Sequence, residues 1–405
     1  MSFLLSLALA CTPDIRGLYA AERARALATD SVVPPSWAPD VRVDIAAPAL
    51  ADAARASLDV ALRDLQPVDF ALPLGLNAEL RPRLRVEDLQ VEDTARCETC
   101  ITTRVSLAGT LGWRLAGTSG DLPLRVDTTV GLAADVVDAT RVRARVEDVD
   151  RVSVSLGRIE GLRLDPAPAL KDAVRAAIAR KAPPVVLGDL ADAEMPLRAV
   201  RLRTRAGSLQ AELLTDVPVS ATVPDAPPPA RGIRVRMADS VVTALARRAA
   251  LQEGPVALDV VVDPRGIQLD ADALTLDVRL WRLVGRGWWR DYRARGTLAV
   301  TDGKVKLGTV SADEVGSSKG SGFVDPLAAL AQGRIVAAIE EALTEALPAS
   351  TANDAGSVRM TATATRISGA AGVISIEGTL DVRAPGRTDP APRASSTTGR
   401  ELPRE

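Results

Sequence analysis

The sequence predicts an α+β fold of two tandem domains, each a long, strongly twisted antiparallel sheet wrapped around long amphipathic helices. Three observations carry this expectation. One pattern occurs twice: an amphipathic helix, long alternating strands, a second amphipathic helix opened by aspartate, then two more alternating strands. Each round takes roughly 180 residues, the size of a duplicated domain rather than of a solenoid repeat. Two of the alternating runs hold their period for about 15 residues, against a usual strand of ~5–6. Aromatic residues are scarce, at five Trp, two Tyr and three Phe, so Leu, Val, Ile and Ala must fill the elongated interior. Such an interior can hold lipid.

The chain opens with a short apolar run, Phe3 to Ala10, that ends in Ala8-Leu9-Ala10-Cys11. This resembles a bacterial lipoprotein signal, in which a small residue precedes a cysteine that is acylated after cleavage. The resemblance implies a signal over 1–11 and a lipid anchor at Cys11. Thr12 beside that cysteine implies an outer-membrane location, with the protein facing the periplasm or the cell surface. The competing reading is a secretory signal with an incidental cysteine. Residues 12–40 carry Pro34, Pro35 and Pro39 and little periodicity, which suits a tether. No later stretch approaches the ~18 uninterrupted apolar residues of a spanning helix.

The first domain is expected over 41–223. Its first helix runs from Ala47 to about Leu65, with Leu50, Ala54, Leu58, Leu62 and Leu65 on one face. Ile101 to Leu115 then alternates. After the turn at Gly117-Thr118-Ser119-Gly120, Leu122 to Val136 alternates in answer. Val142 to Leu156 continues the theme, with a bulge expected near Asp148 to Asp150. Asp165-Pro166 caps and presets the second helix, whose apolar face is Leu170, Val174, Ala177 and Ile178. Leu197 to Leu202 and Leu209 to Val219 close the round.

Residues 224–232 form a proline-rich linker, semi-stiff rather than floppy. The second domain, 233–383, repeats the order. Its first helix lies near Met237 to Ala250, with Val241, Leu245 and Ala249 expected to face inward. Strands follow over 256–262, 267–269, 274–283 and 294–310, then a Gly/Ser loop at 316–322. Asp325-Pro326 opens the last helix, and two closing strands span 358–367 and 373–382. Residues 384–405 are rich in Pro, Ser, Thr and Arg and read as a disordered tail.

Bulk properties exclude several classes. The chain has 405 residues, 47% apolar and 25% charged, and a net charge of -2, so no global attraction to nucleic acid or anionic membrane is expected. The absence of histidine removes Ser-His-Asp and Cys-His catalysis and every His-ligated metal site. Adjacent carboxylates such as Glu87-Asp88, Glu92-Asp93 and Glu147-Asp148 point to opposite faces of a strand and cannot act together. Cys97 and Cys100 flank Glu98-Thr99 between two strands. In an exported chain they read as a local disulfide, with a redox pair or half a zinc site as the competing readings. No catalytic residue, metal or cofactor is expected, and the chain is not read as an enzyme.

This order of elements resembles the tubular lipid-binding superfamily, the fold of bactericidal/permeability-increasing protein, over about residues 41–383. The resemblance rests on the long alternations and the two Asp-Pro helices at equivalent places. It also extends to large bacterial lipoproteins placed near that superfamily. It implies a lipid-sized ligand in an apolar tunnel. Leu58, Leu62, Leu107, Leu111, Val174 and Ile178 would line one cavity, and Leu245, Leu276, Val278, Val336, Ile339 and Leu343 a second. The expected function is therefore non-enzymatic lipid binding or transfer, with phospholipid or another lipid as partner. A structural or adhesive envelope lipoprotein with a filled core is the alternative. An outer-membrane barrel is disfavoured by the interleaved helices and by too few aromatics for two girdles.

One patch departs from the aliphatic pattern. Three of the five tryptophans fall within nine residues, Trp281, Trp288 and Trp289, beside Tyr292 and six arginines between 279 and 295. Gly285-Arg286-Gly287 reads as the tip of a hairpin. Trp281, Arg286, Trp288, Trp289, Arg290 and Tyr292 are candidates for docking on an anionic membrane. The competing reading is a strand pair whose tryptophans enter the core and whose arginines stay solvated. Binding of single-stranded nucleic acid is the remaining possibility, and no nucleic-acid partner is expected. The 316–322 loop before a helix could in principle hold phosphate, but it lacks the phosphate-loop spacing and reads as a flexible connection.

Overall fold

Strand formation dominates wherever the alternation runs long, and the helices fall where the apolar period changes to three and four. The structure, a computed structural model, describes residues 14–29, 37–63, 65–71, 77–92, 99–115, 118–137, 141–156, 167–189, 197–217, 222–255, 259–308, 310–318 and 358–384. The first elements are α1 (Ile15–Ala26), β1 (Val41–Ile45), α2 (Ala47–Arg63), β2 (Val68–Ala71) and β3 (Asn77–Glu92). Next come β4 (Cys100–Leu115), β5 (Thr118–Val137), β6 (Arg141–Leu156), α3 (Ala167–Lys181) and β7 (Val185–Asp189). The middle of the chain holds β8 (Leu197–Arg205), β9 (Ser208–Thr215), β10 (Ile233–Ala238) and α4 (Asp239–Glu253). Then follow β11 (Val260–Asp270), β12 (Ala273–Arg282), β13 (Trp288–Thr301), β14 (Lys304–Leu307), β15 (Ser311–Ser317), β16 (Val358–Ala370) and β17 (Val373–Arg383).

The long strands pair as the alternation predicts. Ile101, Thr103, Val105, Leu107, Gly109, Leu111 and Trp113 of β4 face Leu132, Val130, Thr128, Val126, Leu124, Leu122 and Gly120 of β5 without a slip. A Cβ at position 120 would come within 2.9 Å of the Trp113 indole nitrogen, so only glycine leaves room for that ring. β6 carries two irregularities against β5, opposite Asp127–Thr129 and Gly131–Leu132, around the expected bulge. A further bulge in β3, between Val86 and Asp88, frees backbone groups of Val86. Side chains of α2 satisfy them: Arg55 donates to the Val86 carbonyl at 3.3 Å, and Asp59 accepts from the Val86 N–H at 3.4 Å.

Two helices cover this part of the sheet. α2 buries Leu50, Ala54, Leu58 and Leu62, and α3 buries Leu170, Val174, Ala177 and Ile178, the stripes their spacing predicts. The Ser57 hydroxyl donates to the Pro183 carbonyl at 2.6 Å, tying α2 to the chain just beyond α3.

A single 12-stranded sheet runs in the order β2-β3-β4-β5-β6-β7-β16-β17-β10-β1-β9-β8. It takes strands from both sides of the proline-rich segment. A second sheet holds β11-β12-β13-β14, with β15 also on β13. In the middle of the large sheet, β1 pairs with β10 on one side and β9 on the other. Every residue of β1 is buried. Val41, Val43 and Ile45 enter the core, while Arg42 and Asp44 lie on the opposite face.

That opposite face is covered by the segment read as a linker. Arg236 donates to the Pro224 carbonyl at 2.8 Å, and Arg234 donates to that of Pro227. Asp225 pairs with Arg42 at 2.8 Å and with Arg205 at 2.6 Å. The segment is a strap across the sheet, not a free joint. Beneath it Asp44 accepts from Gln210 at 2.7 Å and from Arg236 at 3.1 Å.

Three expectations need correction. The stretch read wholly as tether contains α1, which docks on the second sheet. The inward face of α4 is rotated from the predicted one: Val241, Val242, Ala246 and Leu251 are buried, Leu245 is partly buried, and Ala249 is exposed. The cause is that α4 lies between two apolar clusters, the main core and a small one with Ile15, Val261 and Trp281. β15 occupies residues 311–317, beginning between the strand expected over 294–310 and the loop expected at 316–322 and taking in the first two residues of that loop. The signal, the last helix and the tail lie outside the described residues.

Candidate functional site

Leu58, Leu62, Leu107, Leu111, Val174 and Ile178 converge in one apolar core, each at 2% exposure or less. Leu107, Leu111, Val174 and Ile178 have no exposed surface at all. Leu276 and Val278 of β12 belong to the same continuous core, with Leu245 packed at its edge. The two predicted linings are thus parts of one interior. Val336, Ile339 and Leu343 lie outside the described residues.

The tryptophan–arginine patch forms the β12–β13 hairpin. Trp281 faces Trp289 across the strands, and Arg279 faces Asp291. One hairpin face carries Leu276, Val278 and Leu280 into the main core, with Trp288 and Tyr292 partly packed on it. The other face is covered at Trp281 by α1. Trp281 is 1% exposed, its ring meets Tyr19 edge-on at 5.8 Å, and its indole N–H donates to Asp263 at 3.1 Å. Trp281 is therefore a core residue, not a docking one. The sequence pattern could not show this because its cover, α1, lies more than 250 residues upstream.

Most of the arginines are paired. Arg279 makes a two-pronged bond to Asp291 at 2.6 and 2.7 Å, and its guanidinium stacks over Trp289 at 4.1 Å. Arg290 pairs with Glu314 at 2.9 Å, Arg293 with Asp277 at 2.7 Å and Arg295 with Asp313 at 3.2 Å. The two carboxylates from β15 are the counter-ions the local sequence lacked. Arg279 is held above the usual guanidinium range, first by its hydrogen bond to Asp291, against the opposing effect of burial. Arg286 stays exposed at the tip.

A buried ionic network fastens α1 to α4 and β11. Asp263 is fully buried and accepts from Arg247 at 2.6 Å and Arg265 at 3.2 Å. Glu22 of α1 meets Arg247 at 2.6 Å and Arg265 at 3.6 Å. Burial pushes the Glu22 carboxyl up. The Arg247 hydrogen bond and the charges of Arg265, Arg247 and Arg25 outweigh it and hold the group below the usual carboxylate range. A groove of about 360 Å³ opens beside this network, between Arg25 of α1, Ser240 and Thr243 of α4, and Gln268 of β11. Sequence reading missed it because its walls come from three distant segments.

Other candidates carry less. Cys100 is buried at the start of β4, while Cys97 and Cys11 lie outside the described residues. Gly316-Ser317-Ser318-Lys319-Gly320 has the Gly-x-Ser-x-Gly spacing of a hydrolase elbow. Ser318, however, bonds the backbone of Trp289 at 3.0 Å, and the chain has no histidine to serve as its base. Among the described residues no cluster of His, Cys, Asp and Glu could hold a metal, and no helix is long and apolar enough to cross a membrane.

No protein-family model matches the sequence, and no curated protein does. Among solved structures, the chain is similar to a lipopolysaccharide binding protein at 11% identity and a TM-score of 0.37, covering 85% of this chain and 99% of that one. It is similar to P47 of Clostridium botulinum E1 at 7% identity and a TM-score of 0.36, covering 85% and 100%. Likeness this distant is a coarse one, of a large curled sheet with few helices.

Proposed function

We propose that this chain binds lipid, or another long apolar molecule, without catalysing a reaction, as a lipoprotein of the bacterial cell envelope. The observation that supports this reading is the continuous apolar core. It runs from Leu62 on α2, under β4 and β5, to Leu280 on β12, and the buried hydroxyls of Thr103 and Thr128 within it are bonded to backbone carbonyls. Few aromatics are available to fill so long an interior. In this reading acylated Cys11 holds the protein at the outer membrane, facing the periplasm or the cell surface. Cys97 and Cys100 form a local disulfide whose removal costs only about 1–3 kcal/mol, since the closed loop is short.

Native mass spectrometry of the full chain with Cys11→Ser tests the ligand. One lipid per chain, retained through purification, is the expected result. A clean ligand-free mass under gentle conditions overturns it. The same substitution tests the anchor, since it should release the protein from membranes; unchanged membrane association would count against Cys11.

A specific observation favours a second reading, a structural envelope protein with a filled core. Leu107, Leu111, Leu170 and Ile178 are among the most completely buried side chains of the chain. For the carrier reading, α2 and α3 must part from the sheet to admit a ligand.

A further inference from the structure

We propose that the β12–β13 hairpin tip, together with the first turn of α1 and the edge of β15, is a docking surface for an anionic lipid bilayer. Among the described residues, three large apolar side chains are left exposed: Leu18 at 45%, Val284 at 49% and Val315 at 56%. They come from segments far apart in sequence, and the fold gathers them at one end. Val284 lies in the hairpin tip. Leu18 is one turn along α1 from Ile15, whose side chain lies against Gly287. A Cβ at position 287 would approach Ile15 to 3.0 Å. Arg16 fixes the same contact by donating to the Leu283 carbonyl at 3.0 Å. Val315 sits in the irregular step of β15 opposite Asp291 and Tyr292, just behind the tip.

Two arginines lie beside this apolar trio, against one exposed carboxylate, Asp14, at the start of α1; Asp313 and Glu314, beside Val315, are already paired with Arg295 and Arg290. Arg16 and Arg286 are exposed and meet no carboxylate among the described residues, unlike the paired arginines further along the hairpin. The surface is a projecting tip rather than a concave pocket, so it suits insertion among headgroups better than capture of a small ligand. Exposed aliphatic side chains with two arginines nearby match a bilayer interface, where apolar groups enter the acyl boundary and arginine meets phosphate.

The short sequence distance from α1 to Cys11 is consistent with this surface. α1 begins four residues after Cys11, a reach of at most ~14 Å. An acyl chain on Cys11 would therefore enter a membrane beside this tip. Only this orientation argument rests on the lipoprotein reading; the exposed apolar side chains and the two arginines without a carboxylate partner stand without it.

Vesicle flotation of the full chain with Cys11→Ser tests the surface without an acyl chain. The protein should float with vesicles of phosphatidylglycerol and phosphatidylcholine more than with phosphatidylcholine alone, and less at high salt. Combining Leu18→Asp, Val284→Asp and Val315→Asp should lower that binding at least tenfold. Arg286→Glu should weaken the preference for phosphatidylglycerol, while Arg16, which holds α1 to the hairpin, is left in place. All four substituted positions are exposed, and an unchanged near-ultraviolet dichroism spectrum verifies folding. Failure of the parent to float, or equal flotation of the triple aspartate variant, overturns the proposal. So does a dimer that the same three substitutions dissociate, because the surface would then meet a second copy of the chain. The mass of any bound lipid, read separately, decides the carrier reading independently of docking.

Discussion

At the long-stranded end, α2 and α3 meet β3 to β6 through stripes of Leu, Ile, Val and Ala, with polar contacts confined to the margins. At the hairpin end, α1 and α4 meet β11 and β12 through a buried carboxylate, two arginines, a glutamate and a tryptophan N–H. The two modes hold helices differently. An apolar stripe gains from water exclusion and tolerates small shifts. A buried charge network gains little net energy, because desolvation opposes it, but it disfavours any arrangement that leaves one charge unpaired. The first end is therefore suited to opening around a ligand, and the second to fixing one position of α1 and of the hairpin tip.

The sharpest break of this comparison is at Asp263. Asp263→Asn leaves Arg247 and Arg265 under-neutralised in the interior and should cost about 3–5 kcal/mol, read by urea unfolding. Amides of α1 should lose protection in hydrogen exchange before those of α2 do. A loss below about 1 kcal/mol would mean that water reaches the network.

At the other end, Leu107→Ala should cost about 2–5 kcal/mol through the cavity left beneath α2 and α3. Leu107→Trp sharpens the functional question. In a carrier it blocks lipid uptake at a small cost in stability; in a filled core it destabilises by more than about 3 kcal/mol through overpacking.

A smaller effect is expected from Trp281→Phe. The ring volume is largely kept, but the hydrogen bond to Asp263 is lost, costing about 1.5–3 kcal/mol. The smallest belongs to Asp277→Asn, which breaks the exposed pair with Arg293 and should not move the unfolding midpoint measurably.

Titration also distinguishes the α1 network from the middle of the large sheet. The folded Glu22 carboxyl lies below its ordinary value, so its contribution is full above that value and is lost as pH falls through the folded one. Hydrogen exchange of residues 15–26 should quicken below about pH 4. Asp40 runs the other way. Burial, only partly offset by its bonds to Thr215, holds it above the ordinary value. Its folded state therefore favours the proton, and the cost of its charge appears as pH rises through the folded value. Asp40→Asn should remove that cost at neutral pH while keeping an acceptor for Thr215.

The aliphatic end was legible in the sequence because its information is local. Period-two runs in β4 and β5 set their register, and three-four spacing set the buried faces of α2 and α3. β3 was harder to read: Pro82 and the bulge after Val86 interrupt its alternation, and Glu79, Arg81, Arg83 and Arg85 make it look like a charged loop. α1 carries Gly17 and almost no apolar stripe, so nothing periodic marks it; its position is set by Glu22, Tyr19 and Ile15 against residues far downstream. The arginine patch looked under-neutralised because Asp313 and Glu314 lie 18 to 24 residues from the guanidiniums they meet.

The place of β1 in the sheet bears on how the chain is made. Asp44 finds Gln210 after 166 residues and Arg236 after 192. A chain emerging N-terminus first must carry this strand unpaired through nearly half of its synthesis. The outer strands β3 to β6 are close neighbours in sequence and pair in consecutive order, so their partners arrive early. The middle of the sheet closes late, once β9, the strap and β10 have all arrived. Contacts of such long range slow folding and leave open strand edges waiting. A chain of this topology needs protection in transit from its own unpaired first strand.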